Sequence, residues 1–344
     1  MIAQRRITTG LLSAAFCMTL AACGGSSGGG GSSALPEQDR AVVAGLVGLG
    51  VAQAGLDTGM EAGEEGEPAG LTLSARTAPA PRVDDSNPCD SGSTSITEGL
   101  AAGPSELDSP YHDGQFDRVR ISANDCRIES GGGGFSFFSR TDGVFEFGEA
   151  EGGDVFYFRA ADSSDSIDGF YEMESSGDFI GNMNVRMRGL AHGCDGCSSP
   201  EDGGQFELVS FLRIEQTLDG NSMSFIQGDS LGSPLEMRFT GTEGGTGESV
   251  INGRLGFSMT GNPCSFDAVY ETVNPLTTVN SFTENETITG GELNISMVGG
   301  GSYNVQFLGP DSVMVNGTML TEADLQRLEE QCAFDDDWED DWDD

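Results

Sequence analysis

From residue 87 onward, apolar and polar residues alternate along the chain with a period of two. Five segments of this kind, each flanked by Gly, Asp or Ser, come first: 115–122, 144–147, 155–159, 170–174 and 184–188. Six more follow: 205–218, 234–240, 249–260, 266–273, 292–298 and 303–308. Strict alternation is typical of strands that bury one face and expose the other. The pattern predicts a β domain of about twelve strands over residues 87–333.

Turn signals separate the predicted strands. Asp219-Gly220-Asn221 and Asn252-Gly253 contain the residue types that two-residue hairpin loops require. Short loops join antiparallel neighbours, and a series of such strands is a meander. We therefore expect an all-β fold in which one antiparallel meander curls into a barrel or a two-layer sandwich.

One helix is predicted after the last strand. Thr321 and Asp324 have the spacing of a capping box, in which two side chains bond each other's backbone at a helix N-terminus. Leu325, Leu328 and Cys332 follow at helical spacing and share one face. These features predict a single C-terminal helix with one apolar side.

Low-complexity segments flank the predicted domain. Gly, Ser, Glu, Ala and Pro dominate much of residues 23–86, which predicts a long disordered linker. Within it, 41–56 is apolar but shorter than the roughly twenty residues that span a bilayer. We interpret this segment as a short helix that docks on the domain or frays. At the other end, eight of the ten residues 335–344 are acidic, and their repulsion predicts a disordered tail over 334–344.

The N-terminus carries an export pattern. Arg5 and Arg6 precede an apolar run over 7–20, which is too short to span a bilayer. The run ends in the tetrapeptide Leu-Ala-Ala-Cys at 20–23, which resembles the lipobox of bacterial lipoprotein signals. Its small residues and terminal Cys stand where an exported precursor is cut.

This resemblance implies a lipid anchor. Residues 1–22 are then a cleaved signal peptide, and Cys23 becomes an N-terminus acylated with fatty acids such as palmitate. Several acyl chains hold a protein on a membrane almost irreversibly. Gly24 stands where inner-membrane lipoproteins carry the retention signal Asp, so the resemblance favours the outer membrane of the cell envelope.

Charge excludes several classes of function. The chain has 56 acidic residues and 16 basic ones, every one of them Arg, for a formal net charge of −40. Without Lys it has no P-loop and forms no Lys Schiff base. The negative field also repels nucleic acid and anionic lipid surfaces. The remaining interpretations are a solubility device, a surface adapted to high salt, or a sink for cations such as Ca²⁺.

Six cysteines remain in the mature chain after Cys17 is cleaved off and Cys23 is acylated. An even number in an oxidising compartment predicts up to three disulfides, with connectivity left open. The candidates are Cys89, Cys126, Cys194, Cys197, Cys264 and Cys332. Cys194 and Cys197, two residues apart, also fit a redox centre or half a zinc site with His192. We favour a loop closed by a disulfide.

No catalytic set is recognisable in the sequence. His112 and His192 lie among turn residues and are expected to be solvated loop histidines. The acidic segment 162–169 resembles a Ca²⁺ loop but lacks the acid spacing and the distal Glu of an EF-hand. We therefore expect no cofactor, with Ca²⁺ at 162–169 as the alternative. Paired carboxylates carry no information, because so many acids give almost any spacing.

The tripeptide Asn-Pro-Cys occurs at 87–89 and 262–264. Together with segments 116–126 and 251–260, it resembles uncharacterised proteobacterial lipoproteins built from Gly-spaced β repeats. That resemblance bears on fold alone. The sequence predicts a membrane-anchored envelope lipoprotein that acts through a non-catalytic β domain, with an envelope protein or a glycan as partner. The alternative is a secreted carbohydrate-active or metal-dependent hydrolase whose carboxylates are scattered over several strands.

Overall fold

The structure, a computed structural model, describes eleven segments of the chain: 35–47, 82–84, 88–107, 115–132, 135–150, 155–177, 181–195, 205–241, 244–279, 287–309 and 312–332. Several features expected from the sequence lie outside them. These are the signal peptide 1–22, the lipobox Cys23, His112, Cys197 and the acidic tail 334–344. No helix within the described segments is long and apolar enough to cross a membrane.

The described residues form sixteen strands and two helices. Helix α1 covers 37–47, and α2 covers Glu322–Cys332. The strands are β1 (Arg82–Asp84), β2 (Ser91–Ala102), β3 (Gln115–Gly132), β4 (Phe135–Ala150), β5 (Val155–Ala161), β6 (Tyr171–Gly177), β7 (Gly181–Asp195), β8 (Gln205–Leu218), β9 (Asn221–Gln227), β10 (Leu235–Gly241), β11 (Thr246–Met259), β12 (Phe266–Val279), β13 (Thr287–Met297), β14 (Ser302–Gly309), β15 (Ser312–Val315) and β16 (Thr318–Met319).

All the strands belong to one antiparallel sheet, which confirms the all-β prediction. The order is a meander except at two places, where two short strands lie end to end between two long ones. β5 and β6 lie in this way between β4 and β7, and β9 and β10 lie between β8 and β11. A loop joins the two short strands of each pair, at 162–170 and at 228–234. The strands that the sequence pattern did not predict are β1, β2, β9, β15 and β16.

Glycine allows long strands to pass these loops. Gly143, in the middle of β4, has a φ of +111°. A Cβ there would lie 2.6 Å from the Ala161 carbonyl oxygen and 2.8 Å from the Tyr171 Cα, where β5 ends and β6 begins. Both the backbone angle and the close approach therefore require Gly at this position.

Asn252-Gly253 lies inside β11 instead of forming the expected hairpin turn. The pairing of β11 with β12 shifts register between Ser249 and Gly253, and Gly253 has a φ of +107°. Asn252 Oδ1 accepts a hydrogen bond of 2.9 Å from the Thr272 backbone N–H. An Asn-Gly pair can form a hairpin turn or a bulge within a strand. Here it forms a bulge in β11, where the loop 228–234 lies beside that strand. Asp219-Gly220 does form the turn between β8 and β9.

The inner face of the sheet, defined by Leu255, Tyr270, Ile295 and Val305, packs around α1. These four side chains are at most 2 % exposed and belong to one apolar core with the helix. Four consecutive residues of α1 are at most 4 % exposed: Ala41, Val42, Val43 and Ala44. Successive helical residues point about 100° apart. Burial of four in a row means that the core encloses this turn of α1 on all sides.

Helix α1 begins four residues before the apolar segment 41–56 and docks on the domain. The Tyr270 hydroxyl donates a 2.7 Å hydrogen bond to the Ala44 carbonyl oxygen, deep in the core. At the other end of α1, the Gly301 N–H donates to a Glu37 carboxylate oxygen. The folded domain therefore includes α1 and β1 in addition to the described part of residues 87–333.

Helix α2 begins with the expected capping box. The Thr321 N–H and hydroxyl both donate to Asp324 Oδ2, at 3.0 and 2.7 Å, and the Asp324 N–H donates back to the Thr321 hydroxyl at 3.2 Å. Buried Leu328 joins the core around α1. Arg327 pairs with Asp39 of α1 at 3.0 Å, so both helices belong to one packed unit.

Two of the expected disulfides are present among the described residues. Cys89 pairs with Cys126 and joins the approach to β2 with β3. Cys264 pairs with Cys332 and ties the end of α2 to the turn before β12. Cys194 is disulfide-bonded as well.

Candidate functional site

Six arginines lie on the outer face of the sheet between β3 and β8, opposite the face that packs on α1. Register places Arg120, Glu146 and Arg159 side by side on β3, β4 and β5. We call the six the arginine strip: Arg118, Arg120, Arg159, Arg186, Arg188 and Arg213. They are a large share of the 16 basic residues of a chain whose net charge is −40.

The β5–β6 loop, residues 162–170, covers this strip. Ile167 is 7 % exposed and packs against Val144, Ala161 and Phe211 of the outer face. Asp162 fixes the first turn, because its Oδ1 accepts from the Ser164 N–H and hydroxyl at 2.9 and 2.6 Å. The hydrogen bonds to Ser164 and Ser166 lower the pKa of Asp162. The loop therefore folds onto the sheet as a compact cap.

A second short segment, residues 103–107, covers the strip from the β2 side. Leu107 is 3 % exposed and packs against Phe116, Tyr157 and Leu190. As a result, residues 157–161 of β5 are buried on both faces. Most of the sheet is buried on one face only. A strand that is buried on both faces therefore distinguishes this region from the rest of the sheet.

Glu146 is the centre of the covered network. Its side chain is 1 % exposed, so its charge needs partners inside the protein. The Tyr157 hydroxyl donates to Oε1 at 2.5 Å and Arg120 donates to Oε2 at 2.8 Å. Arg118 lies 3.5 Å from Oε1. Burial, followed by the hydrogen bond to Glu146, raises the pKa of Tyr157, which keeps this hydroxyl a donor.

Arg159 is the second buried node. Its side chain is 4 % exposed and contacts Glu106 at 2.8 Å and Asp165 at 2.5 Å. Arg120 also reaches Asp165, at 2.9 Å. Partial burial acts to raise the pKa of Asp165, but the hydrogen bonds from Arg159 and Arg120 outweigh it, so that pKa lies below its ordinary value. Asp165 thus attaches the loop to the sheet.

The far end of the strip lies beside Phe170, the last residue of the loop. The Cζ atoms of Arg186 and Arg188 lie 4.1 and 4.9 Å from the centre of this ring, within the range of a cation–π contact. Arg186 pairs with Glu172 at 3.0 Å and with Glu215 at 3.1 Å.

Arg188 and Arg213 differ from the other four arginines. Arg188 donates to the Asp168 carbonyl oxygen at 2.8 Å, but neither side chain pairs with a carboxylate of the described residues. Register places the two directly opposite each other on β7 and β8. The rest of the strip is neutralised: Arg118, Arg120, Arg159 and Arg186 each contact at least one carboxylate.

The acidic loop does not assemble the donors of a Ca²⁺ site. Asp162 accepts hydrogen bonds from its own turn, and Asp165 is bonded to two arginines. Nor do the described residues contain a cluster of three or more His, Cys, Asp or Glu suited to a metal ion. Asp165 instead neutralises two arginines of the strip.

The expectation that His192 is a solvated loop residue was wrong. It lies in β7 opposite Tyr157 and is 6 % exposed. The strand continues to Asp195, through residues whose Gly and Asp content predicted a turn. Cross-strand pairing on both sides, with β5 and β8, overrides the local turn preference.

The arginine strip was not predicted from the sequence, although a signal for it was present. Arg118 and Arg120 lie two residues apart in one predicted strand, and Arg186 and Arg188 do so in another. Residues two apart in a strand share a face. Two such pairs in a chain with so few basic residues indicate one arginine-bearing surface. Which acidic residues contact that surface is shown only by the strand register in the structure.

The arrangement favours recognition over acid–base chemistry. A general base must be free to accept a proton from a substrate, whereas Glu146, Asp165 and Glu106 are all bonded to arginine. Comparison with known proteins adds no guide: no family model, no curated protein and no solved structure matches the chain.

Proposed function

We propose that this protein is an envelope lipoprotein, anchored to the outer membrane through Cys23, that acts as a non-catalytic binding module through the outer face of its β domain. The observation that carries the proposal is the filled inner face. Ala41 and Ala44 of α1 are 0 % exposed within an apolar core. The inner face is thus occupied by the chain itself, which leaves for a partner the part of the outer face that segments 103–107 and 162–170 do not cover.

The hydrolase alternative has less support. A carbohydrate-active enzyme of that kind needs an open groove with two facing carboxylates. The inner face is packed with apolar side chains around α1. On the outer face, Glu146 and Asp165 both contact Arg120. No observation in the described residues favours a second function, so we propose one.

The position of α1 agrees with anchoring at the N-terminus. Eleven residues separate Cys23 from Leu35, the first residue that the structure describes. A chain of that length reaches at most about 40 Å when fully extended. An acylated Cys23 would therefore hold the domain within that distance of the membrane, with the Glu37–Gly301 end of the core as the nearest attachment.

Cell fractionation tests the anchor. In a Gram-negative expression host, the wild-type chain should appear in the detergent-soluble outer-membrane fraction, and mass spectrometry should find an acylated Cys23. The Cys23→Ala chain should stay unprocessed or become soluble. Cys17→Ala is the matched control, because it removes a thiol from the predicted signal peptide and should behave as wild type.

One result would overturn the anchor. If the Cys23→Ala chain were processed and still resisted extraction by high salt, a different segment would hold it on the membrane. The binding role is tested separately, by capture from envelope extracts with the detergent-solubilised full chain. Turnover of a glycan by that same preparation would contradict the non-catalytic role.

A further inference from the structure

Arg188 and Arg213 form a pair of like charges that the described protein leaves without a counter-ion. They are opposite residues of an antiparallel pair, so their Cβ atoms are about 5 Å apart. Like charges at such positions oppose pairing of the strands. The chain has 56 acids, and five of them neutralise the remaining arginines of the strip: Glu106, Glu146, Asp165, Glu172 and Glu215.

The guanidinium of Arg188 is held in a fixed position. It donates to the Asp168 carbonyl oxygen at 2.8 Å, and its Cζ lies 4.9 Å from the Phe170 ring centre and 5.9 Å from that of Phe211. Two aromatic rings and one hydrogen bond restrict the side chain before any ligand arrives. Preorganisation of this kind lowers the entropy cost of binding.

Both arginines have donors to spare. The Nε atoms of Arg188 and Arg213 are buried and have no hydrogen-bond acceptor among the described residues. The Nε atom of Arg118 also lacks an acceptor, so what distinguishes Arg188 and Arg213 is that neither has a carboxylate partner among the described residues. Guanidinium donors have a fork geometry that fits the two oxygens of a carboxylate.

We propose that Arg188 and Arg213 together bind a single carboxylate group of a small ligand. This proposal rests on the role as a binding module and names the chemical class that the module recognises. One negative charge replaces the missing counter-ion of the pair. The side chain of Ile226, opposite Arg213 on β9 and partly exposed, supplies an apolar edge for the ligand body.

The overall charge selects against larger anions. A net charge of −40 repels a polyanion or an anionic membrane surface at long range. A ligand with one charge experiences much less of that repulsion, while the two guanidinium groups attract it at short range. A carboxylate on an otherwise neutral body, such as an acidic sugar, meets both conditions.

Calorimetric titration of the full chain with sodium glucuronate tests the site. Glucose at the same concentration is the neutral control, and NaCl keeps the ionic strength constant. We expect glucuronate to bind and glucose not to bind. Arg213→Gln should weaken binding by about tenfold or more, since it removes a charged hydrogen bond, and the Arg188→Gln/Arg213→Gln chain should abolish it.

Arg238→Gln is the matched control variant. It removes the same charge from an exposed position on the neighbouring strand β10 and should leave the affinity unchanged. Folding is checked by the melting temperature, which Arg213→Gln should keep or raise because it relieves repulsion. A folded variant that loses binding supports the site.

Three results would overturn the proposal. These are no glucuronate binding, equal binding of glucose, and equal loss in Arg238→Gln. Inorganic phosphate is a further arm, and phosphate binding without glucuronate binding would reject the carboxylate assignment. None of these results depends on membrane attachment, so failure at this site is distinct from failure of the Cys23 anchor.

Discussion

The two most deeply buried regions of this protein are built from opposite chemistry. Around α1, Ile295 and Val305 are 0 % exposed and contact apolar neighbours. Under the loop 162–170, Glu146 is 1 % exposed and contacts Tyr157 and two arginines. Burial is stabilising by itself only in the first region. In the second, burial costs free energy unless every partner is present.

This difference predicts how each region fails. Removing atoms from the apolar core leaves a cavity that neighbours partly fill. Removing one member of the polar network leaves the other charges buried without partners. The polar region should therefore be the more sensitive to a single change, even though it is much smaller.

The largest effect is expected for Glu146→Ala. It leaves Arg118, Arg120 and the Tyr157 hydroxyl facing a buried gap, so unfolding free energy should fall by about 3–5 kcal/mol. Urea unfolding of the purified chain measures this. Glu236→Ala on the exposed side of β10 is the control and should change little. If Glu146→Ala lowered the unfolding free energy less than Ile295→Ala does, the polar region would not be the more sensitive one.

Ile295→Ala should lower the unfolding free energy somewhat less than Glu146→Ala, by about 2–5 kcal/mol. The change removes buried apolar atoms and leaves a cavity that the neighbouring side chains partly fill. The same urea experiment applies. Its exposed partner for comparison is Val269→Ala, at a position 39 % exposed on β12. If Ile295→Ala unfolded the chain outright while Glu146→Ala did not, the apolar core would be the more sensitive region.

Tyr270→Phe sharpens the comparison within the apolar core. It deletes only the hydroxyl that donates to the Ala44 carbonyl oxygen at 2.7 Å. The buried Ala44 carbonyl oxygen then loses this donor, at a cost of about 1–3 kcal/mol. Tyr303→Phe, near the Glu37 end of α1, is the control for losing a hydroxyl at a less buried place. Equal losses in the two variants would mean that burial does not matter to this bond.

The smallest effect concerns pH and the attachment of the loop. The pKa of Asp165 lies below its ordinary value in the folded chain, so its ion pairs stabilise the protein above the unfolded pKa, near 4. That stabilisation is lost as pH falls through the lowered folded value. Unfolding free energy of wild type should therefore exceed that of Asp165→Asn at neutral pH and converge with it in acid.

A constant difference between wild type and Asp165→Asn over the whole pH range would show that Asp165 contributes through shape and not through charge. Asp168→Asn is the control here, because Asp168 uses only its backbone carbonyl toward Arg188. It should follow wild type at every pH.

Much of the fold could be predicted from the sequence because one-sided strands leave a period-two pattern. The segment 115–122 lies within β3, and the segment 249–260 ends one residue beyond β11. The capping box at Thr321 and Asp324 was also predictable, since both partners are three residues apart. Features that depend on contacts between residues far apart in the sequence were harder to predict. The Asn252-Gly253 bulge depends on a loop that packs beside β11, which no local pattern encodes.

The candidate site shows the same division. Alternating arginines put Arg118 and Arg120 on one face of a strand, and that much follows from sequence. The two carboxylate partners of Arg120 are distant in sequence: Glu146 is 26 residues away and Asp165 is 45 residues away. In a chain with 56 acids, spacing cannot select those two, so register and loop folding had to do so.

The sequence by itself determined the strand pattern, the C-terminal helix and the scarcity of positive charge, because each depends on residues that are neighbours along the chain. Tertiary structure decided which face became the core, since enclosing α1 depends on curvature of the whole sheet. It also decided which arginines were neutralised. Coulomb attraction and hydrogen bonding act over a few ångströms, so only the folded arrangement paired Arg159 with Asp165 and left Arg188 opposite Arg213.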